Sequence, residues 1–294
     1  MPSRELTELL ALVPPDFAAP DADFRSVRAM MAPFHGHPVP EYVTVTEEEL
    51  GGVRCAWYED TRQPHAGRVV FHCHGGGLVA SPLDDYHFYG AMLAEQLEAR
   101  VVMADYRLAP EHVFPAAHDD CSVAYRGLLQ GDIDPLHVVV SGDSCGGLLG
   151  LSVLLDARDE GLPMAGCFMS ISGWFDVSVP DPIDHGGAHR DPFLTAAWVR
   201  NRGREYAAGR VALDDPRLSP VYADLAGLPP KRLPDYYAGF DLAELAAKWI
   251  FGTDWPGVPG VARNARAVAA LGLPDDVLAG VLSGHAAQVY LAAS

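Results

Sequence analysis

LHVVVSGDSCGGLLGLSVLLDAR, residues 136–158, decides the fold. It opens as a short β-branched apolar run, the mark of a buried strand, and closes as a long apolar stretch of helix formers. Between the two, Gly142-Asp143-Ser144-Cys145-Gly146 fits G-x-S-x-G, a strand-to-helix turn so tight that its flanks admit only glycine. Such a turn lifts the Ser144 hydroxyl above the sheet at a helix N-terminus, where a developing negative charge is favoured. Ser144 is the candidate nucleophile.

The same rhythm extends on both sides. RVVFHCHGGG (68–77) reads as a strand ending in a glycine loop, YHFYGAMLAEQLEA as a helix, ARVVMADY as a strand and AHDDCSVAYRGLLQ as a helix. AGCFMSIS follows as a further strand. Strands alternating with helices predict an α/β fold with a parallel, doubly wound sheet. Upstream, EYVTVTEE and VRCAWYE alternate in the manner of an antiparallel hairpin, and helices are expected at ELTELLALV and over residues 24–31. Residues 178–227 break the rhythm with Asp, Pro and His around the helical TAAWVRNRGREYAA, as a lid over a site does.

His74-Gly75-Gly76-Gly77 ends the strand at 68–73. Consecutive glycines let backbone N–H groups converge on one point, and a tetrahedral oxyanion needs two or three such donors. Gly75, Gly76 and the N–H of Cys145 form the expected set.

The 39 acidic residues outnumber the 21 basic ones, giving a net charge of -18 that repels phosphate backbones, so no nucleic-acid partner is expected. The N-terminal MPSRELTELLALVPPDF lacks the form of a secretory signal, and no run reaches 18 apolar residues, so no membrane span is expected. Five cysteines (55, 73, 121, 145, 167), an odd number without CxxC spacing, read as reduced thiols of a cytoplasmic protein.

HGGG, then DYRLAPEHVFPAAHDD (105–120), GDSCGG (142–147), SISGWFDVS, RDPFLTAAW and LSPVYADLAGLPP together resemble the hormone-sensitive-lipase-like esterases, bacterial family IV, over residues 40–230. The resemblance implies an α/β-hydrolase core at 41–177, cap helices at 1–40 and a cap insertion at 178–227. It also implies hydrolysis of short acyl esters as small-molecule substrates with no cofactor and no metal, by a monomer or a homodimer. Asp105, Tyr106, Arg107 and Pro110 fall in a stretch that is structural in the relatives.

Residues 228–294 depart from the pattern. Relatives pass from LPP to a strand ending in a Gly-x-Asp loop that supplies the triad acid, and a Gly-x-x-His loop about 30 residues on supplies the base. Here Asp254 ends the strand-like KWIFGTD and precedes His285 by 31 residues, as in the family; Asp241, in AGFD, precedes it by 44 and reads as a helix N-cap. His285 is the expected base and Asp254 the expected acid, with Asp241 as the alternative; His185 and His189 read as solvated loop histidines. The tail IFGTDWPGVPG through LGLPDDVLAGVLSGHAAQVY resembles the C-terminal end of amidohydrolase-family TIM barrels, which suggests a chimera joined near residue 230. Two competing classes stay open: a metal-dependent hydrolase using His72, His74 and Asp254, and a non-catalytic hydrolase-fold binding module.

Overall fold

The computed structural model describes residues 22–32, 36–178 and 196–228. Its strands are β1 (Val43–Leu50), β2 (Val53–Asp60), β3 (Val69–Cys73), β4 (Arg100–Ala104), β5 (Val138–Asp143) and β6 (Cys167–Ile171). Its helices are α1 (Phe24–Met31), α2 (His87–Leu97), α3 (Ala116–Leu128), α4 (Cys145–Asp159) and α5 (Ala196–Ala207). The expected helix at ELTELLALV and every segment after residue 228 lie outside the described residues.

The strands form one six-stranded sheet in the order β1-β2-β4-β3-β5-β6. The β1–β2 hairpin pairs antiparallel from Val43↔Asp60 to Leu50↔Val53, closed by Gly51 and Gly52, and joins β4 antiparallel; β4, β3, β5 and β6 run parallel. The chain thus folds as an α/β protein with a mostly parallel sheet covered on both faces.

β3 shows why its sequence carries no alternation. All five residues are buried. Val69, Phe71 and Cys73 pack with α3 and α4 residues such as Tyr125, Leu148 and Leu149, while Val70 packs with Ala91, Leu93 and Ala94 of α2. A strand covered on both faces reads as a nearly continuous apolar run, and its one polar residue, His72, has both ring nitrogens hydrogen-bonded.

The C-terminal ends of β3 and β5 lie side by side, with His72 registered opposite Ser141 and Cys73 opposite Gly142. The glycine loop and the serine turn therefore leave the sheet at one place, where ligands bind in open α/β sheets. Two helices converge on that loop. Arg28 of α1 donates from Nε to Val79 O at 2.7 Å and from Nη2 to Ala109 O at 3.1 Å. A Cβ built on Gly77 would stand 3.2 Å from Trp198 and 3.3 Å from Arg202 of α5, so α5 lies directly on the loop.

Candidate active site

Ser144 caps α4 in an unusual way. A serine at that position ordinarily takes extended backbone and accepts a hydrogen bond from the first helical turn. Here its backbone sits at φ 50°, ψ −122°, and the side chain makes no capping bond. The hydroxyl is thus not spent on the helix, and the positive φ costs about 1–3 kcal/mol of backbone strain. Three backbone bonds hold the strained residue. Ser144 N–H donates to Ile171 O at 3.0 Å, and Ser144 O accepts from Gly147 N–H at 3.0 Å and Trp174 N–H at 2.8 Å.

The flanking glycines are required by close approach. A Cβ on Gly142 would overlap Gly146 O, and one on Gly146 would overlap Cys73 O, so strand, turn and helix meet backbone to backbone.

Of the three N–H groups expected to serve as oxyanion donors, one has acceptors within the fold. Gly75 N–H donates to Asp143 Oδ1 at 2.9 Å and to Tyr86 Oη at 3.1 Å, bonds that tie the loop to the serine turn and to the segment before α2. Among the described residues, the N–H groups of Gly76 and Cys145 have no hydrogen-bond acceptor. Gly77 and Leu78 point their N–H groups at the Cys145 sulfur, Leu78 at 3.3 Å. That thiol is fully buried, and burial holds it up at about 12, so it serves as packing and acceptor and not as a second nucleophile.

His74 is also structural. Its ring stacks on Tyr106 at 4.1 Å between centroids, and Nδ1 lies 2.9 Å from Gly75 O, an acceptor that requires the proton on Nδ1. Tyr106 Oη donates to His74 O at 2.7 Å, and Arg107 pairs with Asp120 at 2.8 Å, which gives the 105–120 stretch its bracing role. His72 spends both ring nitrogens on Ser141 Oγ (3.1 Å) and Asp143 Oδ1 (3.0 Å). The two histidines thus do not converge as a ligand pair, and no group of three His, Cys, Asp or Glu among the described residues could hold a metal ion.

Burial pushes His74 down to about 4 and His118 down to about 3, so both stay neutral in the folded chain. The unfolded chain protonates them near 6.5, so their contribution is complete above that pH and is lost as the pH falls toward 4 and 3. For His74 alone the loss is about 3 kcal/mol. Urea midpoints are expected to drop steadily from pH 6.5 to 4; a flat profile would show that neither ring is kept neutral.

His285, Asp254 and Asp241 lie outside the described residues. Sequence reading missed Asp143 as a hydrogen-bonding hub, although it stands inside the motif, and nothing in the sequence marked Tyr86 as a neighbour of the loop; α5 falls in the segment read as a lid.

An alpha/beta hydrolase fold family model matches residues 70–243, a span that runs past the suggested junction near 230 and takes in Asp241 but neither Asp254 nor His285. Among curated proteins, an esterase of Acinetobacter venetianus is 31% identical over 188 residues, 64% of this chain and 61% of that protein. An acetyl-hydrolase of Streptomyces hygroscopicus is 33% identical over 198 residues, 66% of this chain and 62% of that protein. The chain spans about three fifths of the length of these relatives. Among solved structures, EstE5 soaked in ethyl alcohol superposes with a TM-score of 0.70 at 30% identity, covering 78% of this chain and 77% of that one. A hormone-sensitive lipase from a metagenome library gives a TM-score of 0.67 at 32% identity, covering 78% and 76%. With its sheet order, serine turn and glycine loop, the chain belongs to the alpha/beta hydrolase fold family, among its hormone-sensitive-lipase-like members.

Proposed function

We propose that this chain is a serine carboxylesterase that hydrolyses small, short-chain acyl esters through an acyl-enzyme at Ser144. One observation carries the reading: an uncapped serine hydroxyl on a strained turn that leaves the sheet next to the glycine loop, where among the described residues the N–H groups of Gly76 and Cys145 have no acceptor. Oγ attacks the ester carbonyl, His285 takes its proton, and the two N–H groups bind the oxyanion that forms. Collapse of that intermediate expels the alcohol, which takes its proton from His285, and water then releases the acid by the same steps. The sequence requires no metal or organic cofactor.

The acid that orients His285 is Asp254 on spacing, with Asp241 the alternative; the span of the family match supports Asp241. Asn substitutions at each position separate the two, since the true acid loses most activity. The resemblance of residues 228–294 to amidohydrolase barrel ends supports a tail joined near residue 230. Helices α1 and α5, both packed on the 76–80 loop, would belong to the cap. Five free thiols support a cytoplasmic setting, and a monomer or homodimer is the assembly expected. No helix among the described residues is long and apolar enough to cross a membrane.

One solved relative was soaked with p-nitrophenyl butyrate, which makes that ester the first substrate to try. Incubation is expected to release p-nitrophenol continuously, and rapid acid quenching to trap a butyryl group on the peptide containing Ser144. Neither release nor acylation would overturn the esterase reading; acylation without turnover would place the defect in the base.

A further inference from the structure

Asp143 stands one residue before the nucleophile, and its carboxylate spans three elements. Oδ1 meets Gly75 N–H at 2.9 Å and His72 Nε2 at 3.0 Å, and Oδ2 accepts from Tyr86 Oη at 3.1 Å. Tyr86 closes a ring, since its hydroxyl oxygen also accepts from Gly75 N–H at 3.1 Å. His72 is fully buried and anchored on its other side to Ser141 Oγ, so the carboxylate is held from beneath by the sheet. Contact with the loop is close: a Cβ on Gly75 would overlap Oδ2 and come within 2.9 Å of Tyr86 Oη.

We propose that Asp143 is a positioning residue of the oxyanion hole, holding the glycine loop so that Gly76 N–H faces the reacting carbonyl. The proposal rests on the esterase reading above. Three glycines in a row have the greatest backbone freedom of any tripeptide, so the direction of their N–H groups must be imposed from outside. A carboxylate does this well, because charge-assisted hydrogen bonds are shorter and stronger than neutral ones. Asp143 is also the last residue of β5, so it fixes Ser144 and the loop as one body. A misplacement of about 1 Å between nucleophile and donors costs about 100-fold in rate.

Charge and geometry make opposite demands here. A negative carboxylate near a developing oxyanion opposes it by Coulomb's law, so if only its charge mattered, neutralising it would speed the reaction. The benefit must come from the hydrogen bonds. Asparagine keeps them: its amide oxygen can accept from Gly75 N–H and His72, and its NH2 can donate to the Tyr86 oxygen.

The test uses the full chain, p-nitrophenyl butyrate kinetics and a fluorophosphonate probe that phosphonylates an activated serine. Asp143→Ala is expected to lower kcat and the phosphonylation rate about 100-fold with KM within about 3-fold, the pattern of a lost transition-state interaction. Asp143→Asn is expected to recover to within about 5-fold of the parent, because the geometry is kept. Tyr86→Phe, which removes one acceptor of Gly75 N–H, is expected to cost about 3–10-fold in kcat at unchanged KM. Asp143→Ala within about 3-fold of the parent, or Asp143→Asn as slow as Asp143→Ala, would overturn the assignment. If Asp143→Ala does not fold, Tyr86→Phe decides, and an unchanged kcat overturns it. A parent protein that neither hydrolyses the ester nor takes the probe at Ser144 overturns the esterase reading, and this assignment with it; an active parent matched by an equally active Asp143→Ala sinks the assignment alone.

Discussion

Ser144→Ala is expected to lower p-nitrophenyl butyrate turnover by at least about 10⁴-fold while leaving the protein folded. Removing the nucleophile closes the acyl-enzyme route, and what remains is the modest help of the oxyanion donors and binding to attack by water. Stability should hardly change, because the hydroxyl makes no capping bond to α4 that alanine would forfeit. Alanine also meets the same backbone strain at φ 50°, since the penalty there arises from Cβ, which both residues carry. Ser144→Gly removes that Cβ and should raise the urea midpoint, equivalent to about 1 kcal/mol or more, with activity equally lost. Turnover surviving in Ser144→Ala would show that the nucleophile lies elsewhere, whatever the fold.

The contrast between stability and activity at Ser144 reflects how the site is built, and it bears on what the sequence can disclose. Local elements were legible wherever local chemistry dictates them. The apolar run before Gly142 and the helix after Gly146 occur as read, and residues 24–31 form a helix capped by Asp23, whose carboxylate accepts from Ser26 N–H at 2.8 Å. The hairpin was legible because alternation and paired glycines specify register together. The order β1-β2-β4-β3-β5-β6 was not, because crossovers set it and their length does not say which neighbour a strand chooses. At the site the division is finer. Four residues, His74 to Gly77, announced an oxyanion loop but not which N–H would be free. That depends on Asp143 and Tyr86, brought to Gly75 by the pairing of β3 with β5 and by the turn before α2. The middle residue of G-x-S can be almost anything in a motif search, so Asp143 gave no signal until Gly142 was known to lie beside Cys73. The acid and base depend on long-range closure in the same way, and spacing alone left Asp241 and Asp254 both standing.

Gly146→Ala is expected to cost about 2–4 kcal/mol of stability and to reduce hydrolysis about 100- to 1000-fold in the fraction that remains folded. The added methyl would overlap Cys73 O and approach His74 O to 2.8 Å, and both are backbone carbonyls at the root of the glycine loop. A clash with a side-chain tip is relieved by a rotamer change, but here strand end and helix start must move apart. Any such movement shifts the loop that carries Gly76 relative to Cys145, because that loop hangs from the end of β3 while Cys145 opens α4. The loss is therefore kinetic as well as thermodynamic, and shows as a fall in kcat larger than the unfolded fraction explains. Gly131→Ala is the matched control. Its methyl would find only Leu128 O, at 3.4 Å, so stability should stay within about 0.5 kcal/mol and kcat should not move. Urea denaturation and steady-state kinetics on both variants decide the matter. Should Gly146→Ala match Gly131→Ala in midpoint and kcat, the helix does not meet the loop backbone to backbone, and the two oxyanion donors are not held as one rigid unit.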